Sequence, residues 1–188
     1  MTSTLGFALL GLLARQPRSG YDIAAQLERG VGPFWHARHS QIYPELARLQ
    51  VDALVDFEVV EQHDRPAKKV YSITDAGRVA LADWVVSPPG QAAIRSELTL
   101  RAYSIWLADP RRAAAMLREQ ERIHREQLAH YEGDRQRLER SPGLADPRTP
   151  EFATYATLRR GIGYESELAE WCAWLAAELE RAAEQVEP

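Results

Sequence analysis

One cysteine is all that the 188 residues contain, so no disulfide can form within the chain, and a lone thiol suits a reducing compartment. No apolar run reaches membrane-spanning length, since the longest, around Leu9 to Ala14, carries Gly11 and stops at Arg15. A basic leader and a small-residue cleavage site are also missing at the N-terminus, so a cytoplasmic chain without a signal peptide or membrane partner is expected. Positive charge is short: residues 1–90 hold 9 Lys+Arg against 10 Asp+Glu, and residues 91–188 hold 14 against 17. Neither half is basic, so any contact with nucleic acid must rest on where single cations are placed. A Gly-rich phosphate loop, a nucleophile elbow and a zincin pattern are all lacking, which argues against an enzyme and against a cofactor. The pair His36 and His39, even taken with His63, finds no further ligands at metal-binding spacing, so no metal is expected.

What is present is strong helical periodicity with one interruption. TLGFALLGLLARQP, dense in leucine and ended by Pro17, predicts a buried helix starting near Thr2 to Thr4. In SGYDIAAQLERG, Ser19 can cap a second helix, with Asp22 three residues on as a short capping box. HSQIYPELARLQVDALV, residues 39–55, places Ile42, Leu46, Leu49 and Ala53 on one face and Gln41, Glu45, Arg48 and Asp52 on the other. Pro44 costs little in a first turn, so a helix start at Gln41 is expected. The period then changes: LVDFEVVEQ and KKVYSI alternate as two short strands joined by HDRPA. TDAGRVALADWV follows as a helix capped by Thr74, with Val79, Leu81, Trp84 and Val85 facing inward. Three helices, a hairpin and a helix is the order of a winged helix-turn-helix.

SPPGQ, residues 87–91, reads as a linker. Residues 1–88 are therefore expected to form the winged-helix domain and residues 89–188 a helical one. RSELTLRAYSIWL predicts a short helix that ends before Asp109–Pro110, a cap and first-turn proline for a long charged helix running to about Arg140. A last helix is expected from about Pro150 to Ala183. Its stripe Leu158, Ile162, Glu165, Ala169, Cys172, Ala176 and Leu179 lies beside a second one of Tyr164, Leu168, Trp171 and Leu175, wider than a two-helix seam. The long helix offers only Ala113, Leu117, His124, Leu128, Tyr131 and Leu138. These faces need a second copy to bury them, so a homodimer is expected, with a monomeric bundle as the alternative. Cys172, inside an apolar stripe, reads as core and not as a nucleophile.

HSQIYPELARL, followed by EVVEQ, the run RPAKKVYSITDAGR and Trp84, resembles the PadR family of bacterial transcription regulators. RRGIGYESELAEW resembles the helical dimerisation domain of the family's two-domain members, so the resemblance spans nearly the whole chain. It implies a mostly α fold with a small β-hairpin: an N-terminal winged helix-turn-helix and a C-terminal helical dimerisation domain. It further implies a homodimer that binds double-stranded DNA at a palindromic operator, usually as a repressor, with relief in many members by small aromatic or amphipathic effectors. By the motif match, the helix from Gln41 to about Asp52 enters the major groove and residues 63–69 form the wing. Ala53 departs from the pattern, which has glycine there to allow a positive φ. Either the helix ends by another geometry, or Asp52 takes the left-handed position.

Within that frame polar side chains read base edges and cations hold phosphates. Ser40, Gln41 and Tyr43 stand at the start of the recognition helix, flanked by Arg38, His39 and Arg48; Arg65, Lys68 and Lys69 cluster at the wing, and Tyr21 opens the preceding helix. Tyr43 is alternatively core, and Arg48 alternatively pairs with Glu45 or Asp52. The acids Asp52, Asp56, Glu58 and Glu61 are expected to point away from the phosphates. Five tryptophans are many for this length; Trp35, Trp106 and Trp171 are candidate liners of a site for a flat aromatic ligand, against the alternative of plain packing. The rival function is a winged-helix module that binds a protein and not DNA. A third, a ligand-buffering or scaffold protein built on the C-terminal helices, has no use for the wing.

Overall fold

The computed structural model describes residues 2–27, 39–61, 67–90 and 96–185, and the chain divides into two compact units, residues 1–91 and 92–188. The first is built from α1 (Thr4–Leu13), β1 (Arg18–Ser19), α2 (Gly20–Gln26), α3 (His39–Val51), β2 (Val55–Val60), β3 (Lys68–Ile73) and α4 (Asp75–Val86). Ser3, Ser19 and Thr74 cap α1, α2 and α4 by accepting from the backbone N–H three residues on, which satisfies donors that the helices themselves leave open. The sheet is antiparallel in the order β1-β3-β2. The hairpin expected from the sequence is thus joined by a two-residue strand, too short to leave an alternating pattern. Leu9, Leu10, Leu13, Ile23, Ile42, Leu46, Leu49 and Val55 are fully buried at the centre of this unit.

Helix α3 corrects two expectations. It already includes His39 and Ser40, so Pro44 lies inside the helix and not in its first turn. An interior proline costs about 3 kcal/mol through a lost hydrogen bond and a clash with the preceding turn. Full burial of Ile42, Leu46 and Leu49 returns about 2 kcal/mol each, and burial wins. Glu45 is the second correction: it is only 5% exposed and faces α1 instead of solvent. Its carboxylate accepts from Ser3 Oγ at 2.6 Å and from Arg48 Nη1 at 2.9 Å, beside the N-terminal turn of α1, where negative charge is favoured.

The end of α3 answers the question raised by Ala53. Ala53 itself has a φ of 55°, so neither of the two expected escapes is taken. The Leu54 N–H donates to the Leu49 carbonyl at 2.9 Å and the Ala53 N–H to the Gln50 carbonyl at 3.0 Å, the paired bonds of a Schellman motif with alanine in the place glycine prefers. Ala53→Gly is expected to stabilise this unit by about 1 kcal/mol, the cost of a Cβ in the left-handed region less the entropy glycine adds to the unfolded chain. Denaturant unfolding of the full chain checks it; a midpoint unchanged or lowered would show the turn to be unstrained.

Helix α4 is less buried than its sequence pattern suggests. Gly77 is its buried residue, whereas Val79 and Val85 are exposed and Trp84 is half-exposed, stacked on Phe7 with ring centroids 4.7 Å apart. The expected inward face is therefore turned outward at Val79 and Val85, because α4 is held by its first turn: the Thr74 N–H donates to the Leu54 carbonyl at 3.1 Å and Thr74 Oγ1 to the Ala53 carbonyl at 2.8 Å.

The second unit contains α5 (Glu97–Tyr103), a 3₁₀ turn (Ile105–Leu107), α6 (Pro110–Leu138) and α7 (Pro150–Glu184). The single short helix expected up to Leu107 is interrupted at Ser104, whose φ and ψ are −113° and 12°. Asp109 caps α6 ahead of Pro110. Helices α6 and α7 run antiparallel, since Arg118 meets Glu180 at 2.7 Å while His124 Nδ1 lies 2.6 Å from Glu165 Oε2. Leu117, Cys172 and Ala176 form the fully buried centre, with Trp171, Leu175 and Leu179 packed against it. Burial and the nearby Glu121 charge push the Cys172 thiol up from its ordinary value, which leaves it inert. Leu100, Tyr103, Trp106 and Leu107 are each more than two-thirds exposed.

Candidate nucleic-acid interface

Tyr43 of α3, the beginning of α2 and the β3 end of the hairpin meet around one cleft of about 690 Å³. Strand β1 makes this possible. Ser19 pairs with Val70 of β3 and at the same time caps α2, so Tyr21 and Asp22 are set down beside Lys68 and Lys69. Gly20 leaves room for the Tyr43 ring where it lies, because a Cβ there would sit 2.6 Å from Tyr43 Cε1. The cleft is lined by Ser19, Gly20, Tyr21, Asp22, Tyr43, Ala67, Lys68, Lys69 and Tyr71.

Side-chain alternation divides the ribbon. Val59 pairs with Lys69 and Phe57 with Tyr71, so these four share one face; Asp56, Glu58 and Lys68 fall on the other, although Lys68, at the first position of β3, still lines the cleft. The Lys69 ammonium sits 4.0 Å above the Phe57 ring, a cation–π contact that holds it over the surface without neutralising it. Phe57 in turn packs on Tyr71 with centroids 5.7 Å apart. Burial, helped by Tyr43, pushes the Tyr71 hydroxyl above its ordinary value, so it stays protonated and able to donate at neutral pH.

Of the sequence-predicted DNA contacts, the structure gathers Tyr21, Tyr43, Lys68 and Lys69 around the cleft. Tyr21 is 71% and Tyr43 47% exposed, which decides against Tyr43 as a core residue. Ser40 and Gln41 lie on the exposed side of α3. Arg48 is on that helix too, but its guanidinium is paired with Glu45, the plainer of its two expected roles. His39 is the first described residue of α3. Arg38 and Arg65 lie outside the described residues, as do His36, His63 and Trp35. Trp171 packs in the helical unit while Trp106 is 78% exposed on it, so the two do not share a packing role. Sequence reasoning missed Tyr71 and Asp22 as lining residues. Tyr71 could have been found from the two-residue spacing to Lys69; Asp22 could not, because β1 is what brings it there.

A compact helical fold carrying a helix-turn-helix with cations and tyrosines shared between its third helix and a β-ribbon defines a winged-helix DNA-binding protein. Residues 9–83 match the model of the transcriptional regulator PadR-like family, and residues 94–180 match that of the virulence activator alpha C-terminal domain. The chain is 30% identical over 178 residues to the negative transcriptional regulator PadR of Bacillus subtilis, covering 94% of this chain and 98% of that one. It is 33% identical over 180 residues to a probable transcriptional regulator of Mycobacterium tuberculosis, covering 89% and 93%. Among solved structures, Bacillus subtilis PadR in complex with operator DNA superposes with a TM-score of 0.81 at 30% identity, covering 94% of this chain and 99% of that chain. The same regulator in complex with p-coumaric acid superposes with a TM-score of 0.76 at 29% identity, covering 95% and 99%. The chain belongs to the PadR-like family of transcriptional regulators; its relatives regulate transcription and are not enzymes. Among the described residues no helix is long and apolar enough to cross a membrane.

Proposed function

We propose that this protein is a dimeric, cytoplasmic repressor that binds a palindromic operator and is released from it by a small aromatic or amphipathic compound. The observation that carries the reading is the convergence of Tyr21, Tyr43, Lys68 and Lys69 on one cleft beside the exposed start of α3. A helix of this kind lies in the major groove, where Ser40 and Gln41 meet base edges, and the cleft takes the adjoining backbone. Dimerisation is supported by Leu100, Tyr103, Trp106 and Leu107, large apolar side chains that stand exposed in the single chain and would gain from being covered. Two copies related by a two-fold axis read two half-sites about one helical turn apart. The complex of Bacillus subtilis PadR with p-coumaric acid supports a phenolic acid as the class of effector.

The test is a gel shift of the full chain on the DNA just upstream of its own gene, at two salt concentrations. With about three phosphate contacts per protomer, affinity is expected to fall about a thousandfold between 50 and 200 mM salt through loss of counterion release. Addition of a phenolic acid is expected to abolish the shift. Binding that is absent, or indifferent to salt, would contradict the reading and favour a protein partner.

A further inference from the structure

The cleft holds a group that a phosphate seat should avoid. Asp22 lines it together with Lys68 and Lys69 and is exposed to solvent. Its carboxylate is fixed in place: Ser19 Oγ donates to Oδ2 at 2.6 Å while accepting from the Asp22 backbone N–H at 3.2 Å. The Ser19 hydroxyl and then the Ser19 backbone N–H, with Lys68 and Arg18 adding their charges, hold this carboxyl below the usual carboxylate range against the opposing effect of burial. It is therefore ionised wherever DNA binding is relevant. The hydrogen bond from Ser19 does not itself require a charge, since an amide oxygen accepts equally well.

We infer that Asp22 is an electrostatic brake on DNA binding: it partly neutralises Lys68 in the free protein and repels the phosphate that enters the cleft. The inference rests on the DNA-binding reading above and adds a residue that weakens the complex to those that form it. Because the phosphate backbone is the same in every sequence, the brake acts on operator and unrelated DNA alike. It limits how tightly the regulator clings to DNA in general without altering which bases it reads.

Asp22→Asn is expected to bind about three- to tenfold more tightly to both kinds of DNA, the size of one exposed opposed charge in each of two protomers. The slope of log affinity against log salt is expected to steepen by about 1 per protomer. Asp22→Glu keeps the charge and is expected to stay near wild type. The experiment is a fluorescence anisotropy titration of the full chain at several salt concentrations, on a duplex from upstream of its own gene and on a scrambled duplex. Asp22→Ser serves as a second neutral variant should Asp22→Asn fail to fold. Neutral variants that bind no more tightly than wild type, or that tighten only on the upstream duplex, overturn the inference. Lys68→Ala/Lys69→Ala is titrated alongside: if it binds as wild type, the cleft is not the DNA interface and the reading beneath falls. If it weakens while Asp22→Asn leaves affinity unchanged, the brake alone is refuted.

Discussion

Replacing Lys68 and Lys69 together by alanine is expected to lower DNA affinity about 100-fold at moderate salt, on every DNA sequence. Both lysines line the cleft, Lys69 being held out over Phe57. Their ammonium groups are compact and strongly hydrated, suited to phosphate and poorly suited to reading bases. Four such contacts in a dimer, at about 0.7 kcal/mol each, come to about 3 kcal/mol, or two decades of affinity. The salt slope should fall by about 4, close to one for each lost contact. The fold should be untouched, because both residues are exposed at the beginning of β3. A titration showing unchanged affinity, or a loss confined to one DNA sequence, would sink this assignment of the wing.

Gly77→Ala is expected to destabilise the N-terminal unit by about 3 kcal/mol and to weaken DNA binding as a consequence. A Cβ at this position would lie 2.1 Å from the Leu54 carbonyl oxygen and 2.8 Å from Ile73 Cγ1. The first contact is with backbone, and that carbonyl already accepts from the Thr74 N–H, so it cannot swing aside without breaking the bond that anchors Thr74, the residue that caps α4. Alanine would normally improve a helix by about 1 kcal/mol over glycine; the collision outweighs that gain. The turn after α3 and the start of β2 share this point, and any shift there re-aims the ribbon that carries Lys68 and Lys69. Denaturant unfolding gives the stability and anisotropy gives the affinity. A variant as stable as wild type would show that Leu54 and Ile73 can move at no cost.

Much of the fold was legible because it follows from short-range rules. The caps at Ser19, Thr74 and Asp109 are sequence signals with one physical meaning, an oxygen placed to accept from open backbone donors. Period-2 alternation marked β2 and β3, and period 3.6 marked α6 and α7. The candidate site was half legible: Lys68, Lys69, Tyr21 and Tyr43 were identified as residues, but nothing in their spacing says that they meet. Glu45 was misplaced because helical periodicity assigns a charged residue at the edge of a stripe to solvent. It takes the packing of α1 against α3 to show Ser3 waiting for it. Val79 and Val85 were misplaced for the complementary reason, since an apolar pattern states that a face seeks cover and not that this chain supplies it.

By itself the sequence determined the class of protein and the order of helices and strands, and it marked the proline-rich 87–91 stretch and the two lysines that open β3. These depend on residues within a turn or two of one another, and local backbone chemistry is enough to specify them. The tertiary structure alone decided that Ala53 adopts the left-handed conformation, that Gly77 touches the Leu54 carbonyl, and that the two-residue strand β1 carries Tyr21 and Asp22 to Lys68. Each of these depends on groups far apart along the chain, brought together only when the leucine-rich core of α1, α2 and α3 closes and the hairpin packs against it.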